Sequence, residues 1–141
     1  RAVRYEADAA RAVLNLDIAA AYPPESGIVS WERRLTLERG KRVIVEDAYA
    51  LKEAGGSIDL SFMSRRRPGE AAAGRIDLVP DEGAPDGPLK LLFDGRAFKA
   101  KIETIEIKDE RLRGSWGDRV YRIVLSGNAR AKTGTIKVRL E

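Results

Sequence analysis

Residues 101–107 read Lys-Ile-Glu-Thr-Ile-Glu-Ile, an apolar side chain at almost every second position. A period of two sends successive side chains to opposite faces of an extended strand and does not fit an amphipathic helix. Leu35-Thr36-Leu37-Glu38 alternates in the same way, and 120–125 and 135–140 are short runs rich in β-branched residues. The one slip in the first run, at Thr104-Ile105, is where a β-bulge is expected.

Turn signals punctuate these runs closely. They include Pro23-Pro24, Gly27, Arg39-Gly40-Lys41, Gly55-Gly56, Pro68-Gly69, Asp94-Gly95, Gly114, Gly127-Asn128 and Thr133-Gly134. Asp94-Gly95, between Leu91-Leu92-Phe93 and Ala97-Phe98, predicts a hairpin, and Arg39-Gly40 predicts another. The pattern places strands near 2–7, 10–16, 29–38, 42–51, 57–64, 75–78, 89–93, 97–107, 119–126 and 135–140. About ten short strands with frequent turns predict an all-β fold, an antiparallel β-sandwich. One helical turn is expected at 17–22, where Asp17 can cap and Pro23 stops the run. The stretch 80–88 is rich in Pro and Gly and is taken as a surface loop, so residues 1–141 are expected to form a single domain.

Composition then excludes several functions. The 141 residues contain no Cys and no His. That removes disulfides, thiolate chemistry, the commonest metal ligand and imidazole acid–base catalysis. No cofactor or metal is expected. The net charge of +4 permits an anionic partner without requiring one. The longest apolar run, 18–22, is far short of the roughly 20 residues that span a bilayer. The chain begins with Arg1 and reads as starting within a longer protein. Aromatic residues are 6% of the chain and no nucleic-acid motif occurs, so neither nucleic acid nor membrane is an expected partner.

Three groups of residues could still carry recognition. Arg65-Arg66-Arg67 precedes Pro68-Gly69 near a loop tip, and Arg33-Arg34, Arg39, Lys41 and Arg42 surround one hairpin. Guanidinium groups grip carboxylates and sulfates through paired N–H bonds, which suits an acidic polysaccharide. Trp116, between Gly114 and Gly117, could stack on a sugar ring from a turn, whereas Trp31 reads as a packed residue at a sheet edge. The carboxylates Asp81/Glu82, Asp109/Glu110 and Glu103/Glu106 have no spacing that specifies a catalytic pair. Oxygen ligands in the 80–88 loop would suit calcium, but without an EF-hand spacing. The candidate carbohydrate-binding residues are therefore Arg65, Arg66, Arg67 and Trp116, with no catalytic residue among them.

Two longer patterns resemble a known family. One is Asn15-Leu16-Asp17, Ala20-Ala21-Tyr22-Pro23, Gly27, Ser30-Trp31, Arg33-Arg34, Arg39-Gly40 and Glu46-Asp47. The other is 112–123, with Ser115-Trp116-Gly117-Asp118 and Tyr121-Arg122-Ile123, followed by Gly134-Thr135. Together they resemble the C-terminal portion of heparinase II/III-like polysaccharide lyases, over most of the chain. The resemblance implies a parent with an N-terminal α/α-toroid and C-terminal antiparallel β-sheet domains, periplasmic or secreted. Such enzymes cleave uronic-acid polysaccharides by β-elimination, using Tyr and His of the toroid and the first β-sheet region. This chain looks like the distal β-sheet region, to which no catalytic residue of the family transfers. The expected role is a non-catalytic C-terminal domain whose partners are the toroid and catalytic domains. The alternatives are a stand-alone binding module for acidic polysaccharides and an oligomer or domain interface.

Overall fold

The computed structural model describes residues 3–80 and 87–141. Its eleven strands are antiparallel throughout and fall into two sheets, so the all-β reading holds. The chain divides into two compact units, one built from 1–57 and 128–141 and the other from 58–127.

In the first unit, strands β1 (Arg4–Ala7), β2 (Arg11–Asp17), β3 (Ile28–Glu38), β4 (Arg42–Leu51) and β11 (Thr133–Leu140) lie side by side in the order β1-β2-β3-β4-β11. The hairpin predicted at Arg39-Gly40 joins β3 to β4, with Gly40 at φ 70°, a conformation glycine adopts without strain. Register fixes which residues share a face, because directly opposed residues point the same way. The row Tyr5, Leu14, Leu35, Val45, Val138 lies on one face. The row Arg4, Asn15, Arg34, Glu46, Lys137 lies on the other. One face is therefore apolar and the other charged, as the period-two alternation requires.

The helical turn expected at 17–22 is a short 3-10 turn, Ala19–Ala21, followed by a second at Pro24–Ser26. The Asp17 carboxylate accepts the Ala19 N–H at 3.1 Å. The bulge expected at Thr104-Ile105 is absent, since the β9–β10 register runs unbroken from Glu106 to Phe98. The irregularity lies instead in β3, between Ile28 and Ser30, where the chain leaves the Pro-rich turns.

In the second unit, β5 (Ser57–Ser64), β10 (Arg119–Asn128) and β9 (Phe98–Glu106) form a three-stranded order β5-β10-β9. A second ladder joins β8 (Leu89–Leu92), β7 (Arg75–Val79) and the two-residue β6 (Arg67–Pro68). Ile76, Leu78, Leu91, Ile123 and Leu125 are buried, each on the inward half of an alternating strand. The hairpin predicted at Asp94-Gly95 does not form: β8 pairs with β7 and β9 with β10, so 93–97 carry the chain from one sheet to the other. The Ala97 and Phe98 N–H groups both bond back to the Asp94 carbonyl. Gly95 lies so close to Gly74 that a Cβ on it would stand 2.5 Å from the Gly74 nitrogen. The glycine there serves backbone packing and not a two-residue hairpin turn. Gly114 and Trp116, expected in a turn, lie instead in a short helix, α1 (Glu110–Trp116), of which Trp116 is the last residue.

Candidate functional site

One end of the three-stranded sheet brings together three of the four sequence-predicted residues, Arg65, Arg66 and Trp116. The Gly55 N–H bonds the Ala129 carbonyl at 2.7 Å, and the Ala129 N–H bonds the Gly56 carbonyl at 2.8 Å. The start of β5 therefore lies beside the finish of β10. Antiparallel neighbours then bring the finish of β5, with the Arg65-Arg66 bend, to the end where β10 begins at Arg119. That is the end from which α1 springs, so Arg65, Arg66 and Trp116 come to one edge of the sheet. Arg67 belongs to β6, where it pairs with Val79. Arg66 is tied down at this edge: its guanidinium donates to the Gly87 carbonyl at 2.6 Å, and its own carbonyl accepts from the Ser64 hydroxyl at 2.9 Å.

The helix at this edge is held by local chemistry. The Asp109 carboxylate accepts the N–H groups of Arg111 and Leu112 at 2.8 and 3.2 Å, satisfying donors that have no partner inside a helix. Asp109 is therefore a cap and Glu110 a first-turn residue, and the two are not a catalytic pair. Gly117, at φ 83°, turns the chain back toward β10. The Arg113 guanidinium donates to the Asp118 carboxylate at 3.0 and 2.7 Å, bracing the helix across that turn. The same guanidinium holds the Asp118 carboxyl below the usual carboxylate range, with Arg119 adding a weaker pull. Leu112 and Trp116, one turn apart, share one face of α1, and Trp116 is 48% exposed. A pocket of about 430 Å³ opens beside the helix, lined by Glu106, Ile107, Lys108, Arg113, Asp118 and Arg119.

Glu103 and Glu106, further along β9, do not work together. Glu103 bonds to Lys101 on its own strand at 2.9 Å and to Arg122 on β10 at 2.7 Å. These bonds, Lys101 first, hold its carboxyl below the ordinary range. Glu106 faces Arg119 across the ladder.

The first unit carries a larger trough, of about 800 Å³, on its charged face. Arg4, Asn15, Arg34, Glu46 and Lys137 form one wall, and Asp17, Glu32, Ala48 and Thr135 the other. The three cations of these rows stand in the first and two of the three carboxylates in the second, so together the rows carry no net charge. On the opposite face the Arg33 guanidinium grips Asp47 with two bonds, Nε to Oδ1 at 2.7 Å and Nη2 to Oδ2 at 2.6 Å. This bidentate grip holds the guanidinium proton more tightly than in a free arginine. Trp31 is buried between Tyr22 and Tyr49, with ring centroids 6.1 and 5.6 Å away. It is a packing residue, as its sequence context indicated, and among the described residues its indole N–H has no hydrogen-bond partner.

The basic rim read around the β3–β4 hairpin does not assemble. Arg33 and Arg34 point to opposite faces, Arg33 to Asp47. Arg42 bonds Glu38 at 2.8 Å, and Arg39 lies 3.4 Å from the Asp8 carbonyl. Arg33, Arg39 and Arg42 are thus each engaged with a different partner. Asp81/Glu82 and most of the 80–88 loop considered for calcium lie outside the described residues. Among the described residues no group of three or more carboxylates could hold a metal ion. No helix among them is long and apolar enough to cross a membrane.

The fold has counterparts among solved structures. The chain is similar to the crystal structure of heparan sulfate lyase HepC from Pedobacter heparinus, with a TM-score of 0.66 and 14% identity. The likeness covers 99% of this chain and 21% of that one. A mutant of the same lyase gives a TM-score of 0.67 at 15% identity over the same shares. At these identities the likeness is one of fold, and the chain spans about a fifth of the length of either enzyme. No family model and no curated protein sequence matches the chain.

Proposed function

We propose that these residues act as one domain, the non-catalytic C-terminal β-sandwich domain of a heparinase II/III-like polysaccharide lyase. The parent would cleave uronic-acid polysaccharides by β-elimination, and this domain would support the catalytic domains that precede it. The observation that carries the reading is the fold likeness, which takes in nearly the whole of this chain and only a fifth of a heparan sulfate lyase. The missing histidine agrees with it, because proton abstraction from a uronate needs a base and a relay near neutral pH. The purified chain, incubated with heparan sulfate, chondroitin sulfate and alginate, should generate no unsaturated uronate absorbance. Turnover by a clean preparation would refute a non-catalytic role.

A second function fits the same domain. Arg65, Arg66, Arg67 and Trp116 would form a surface for acidic polysaccharide, supported by the convergence of the Arg65-Arg66 bend and α1 at one sheet end. Calorimetric titration with acidic and neutral polysaccharides at two salt concentrations tests it. Salt-sensitive binding of an acidic chain supports a glycan contact, and absence of binding leaves a buttress alone.

A further inference from the structure

We propose that the pocket beside α1 is a subsite for the anionic group of an acidic saccharide, held between Lys108 and Arg119 while a neighbouring ring rests on Trp116. The inference rests on the carbohydrate reading of Arg65–Arg67 and Trp116 and adds residues that reading did not contain.

The charges lining the pocket do not cancel. Lys108, Arg113 and Arg119 face Glu106 and Asp118. Arg113 and Asp118 are consumed by their mutual bonds. Glu106 is opposite Arg119 in the ladder. Among the described residues neither Lys108 nor Arg119 forms a salt bridge, and both are exposed. What remains is a guanidinium fork and an ammonium beside the single Glu106 carboxylate, a net positive charge at the mouth of a pocket within the size range of small-ligand sites. The fork matches the paired oxygens of a sulfate or carboxylate, and the ammonium adds charge without geometric demand.

Charge alone would accept any anion. Ring recognition comes from the helix. Leu112 and Trp116 form an exposed apolar strip, and Arg113, which lines the pocket, lies three residues before Trp116 and so on an adjoining part of the helix surface. Trp116 is half-exposed on this strip, and the apolar face of a pyranose fits such a ring. The Asp109 cap and the Arg113–Asp118 brace hold this strip in place, so little ordering is required on binding.

The test follows tryptophan fluorescence and amide NMR shifts of the full chain. The probes are a sulfated glucosamine–uronate oligosaccharide, an unsulfated uronate oligosaccharide, a neutral glucan and inorganic sulfate. Trp31 is buried, so a ligand-dependent emission change reports Trp116. Wild type should bind the anionic oligosaccharides but not the glucan. K108Q/R119Q should weaken that binding tenfold or more and flatten its salt dependence. Amide shifts near Lys108 and Arg119 should respond to whichever group is bound, and the two oligosaccharides separate sulfate from carboxylate. If K108Q/R119Q binds like wild type while W116A or the triple Arg65–Arg67 alanine variant loses binding, the pocket assignment is overturned and the broader carbohydrate reading stands. No binding by wild type overturns both. The single variants K108Q and R119Q, at exposed positions, repeat the test should the double variant misfold.

Discussion

Removing Arg33 should damage this protein more than removing its partner Asp47, and removing both should damage it least. The Asp47 side chain is 1% exposed and that of Arg33 30% exposed. They lie in one cross-strand row with Leu16 and Ile136, an apolar setting. Arg33→Met leaves a carboxylate in that setting with its cation gone, a loss of about 3–5 kcal/mol for a broken buried pair. Asp47→Leu leaves a guanidinium that can swing toward water, and the loss falls to about 1–2 kcal/mol. The double variant presents two apolar side chains to apolar neighbours and should return to within about 1 kcal/mol of wild type. Urea unfolding followed by far-UV circular dichroism measures this directly. With a slope of about 2 kcal/mol per molar urea, the Arg33→Met midpoint should fall by about 2 M and that of Asp47→Leu by about 0.5–1 M. The strong non-additivity of the double variant is the decisive sign. If the two single losses simply add, or if Arg33→Met costs under about 1 kcal/mol, then the pair is not the buried brace described above.

Three further outcomes are expected. Gly134→Ala would place a Cβ 2.5 Å from the Tyr49 hydroxyl oxygen and disturb the Trp31 stack, so near-UV circular dichroism should change and stability fall by about 1–3 kcal/mol. Asp109→Ala removes the acceptor for two N–H groups of α1 and should cost that helix about 1 kcal/mol, read as faster hydrogen exchange at Arg111 and Leu112 with the strands unchanged. The folded-state pKa of Asp118 is depressed, so its pairing with Arg113 is intact above the ordinary carboxylate range and is lost as pH falls through the lower folded value. Carboxyl-detected NMR should find the Asp118 midpoint below that of a free aspartate, and R113Q should move it upward; an unmoved midpoint would remove Arg113 as the cause.

Strand positions were legible because alternation is a property of single segments. Leu35 to Glu38 and Ile102 to Ile107 announce their faces without knowledge of any neighbour. Pairing was less legible. Asp94-Gly95 has hairpin chemistry, yet its flanking strands join different sheets, and the close approach of Gly95 to Gly74 cannot be seen in either segment alone. α1 escaped notice because it is barely two turns long and contains Gly114, while its one clear signal, Asp109 ahead of Glu110, was read as a carboxylate pair. Among site residues, Arg65, Arg66 and Trp116 were visible by type. Lys108 and Arg119 were not, because only the β9–β10 ladder places them around one pocket. The Arg33–Asp47 pair needed the β3–β4 register as well.

The order in which the strands leave the ribosome has a consequence for how this protein is made. Val45 on β4 pairs with Val138 on β11, and the whole second unit is spelled between them. The first four strands of the five-stranded sheet therefore emerge early and then wait, with β4 an open edge, until the second unit has been translated. At about 5–20 residues per second, that interval lasts several seconds. An open edge backed by Val43 and Val45 is a template for the wrong partner during that time. Yield of soluble protein should thus respond to translation speed and growth temperature more than the stability of the finished fold would suggest.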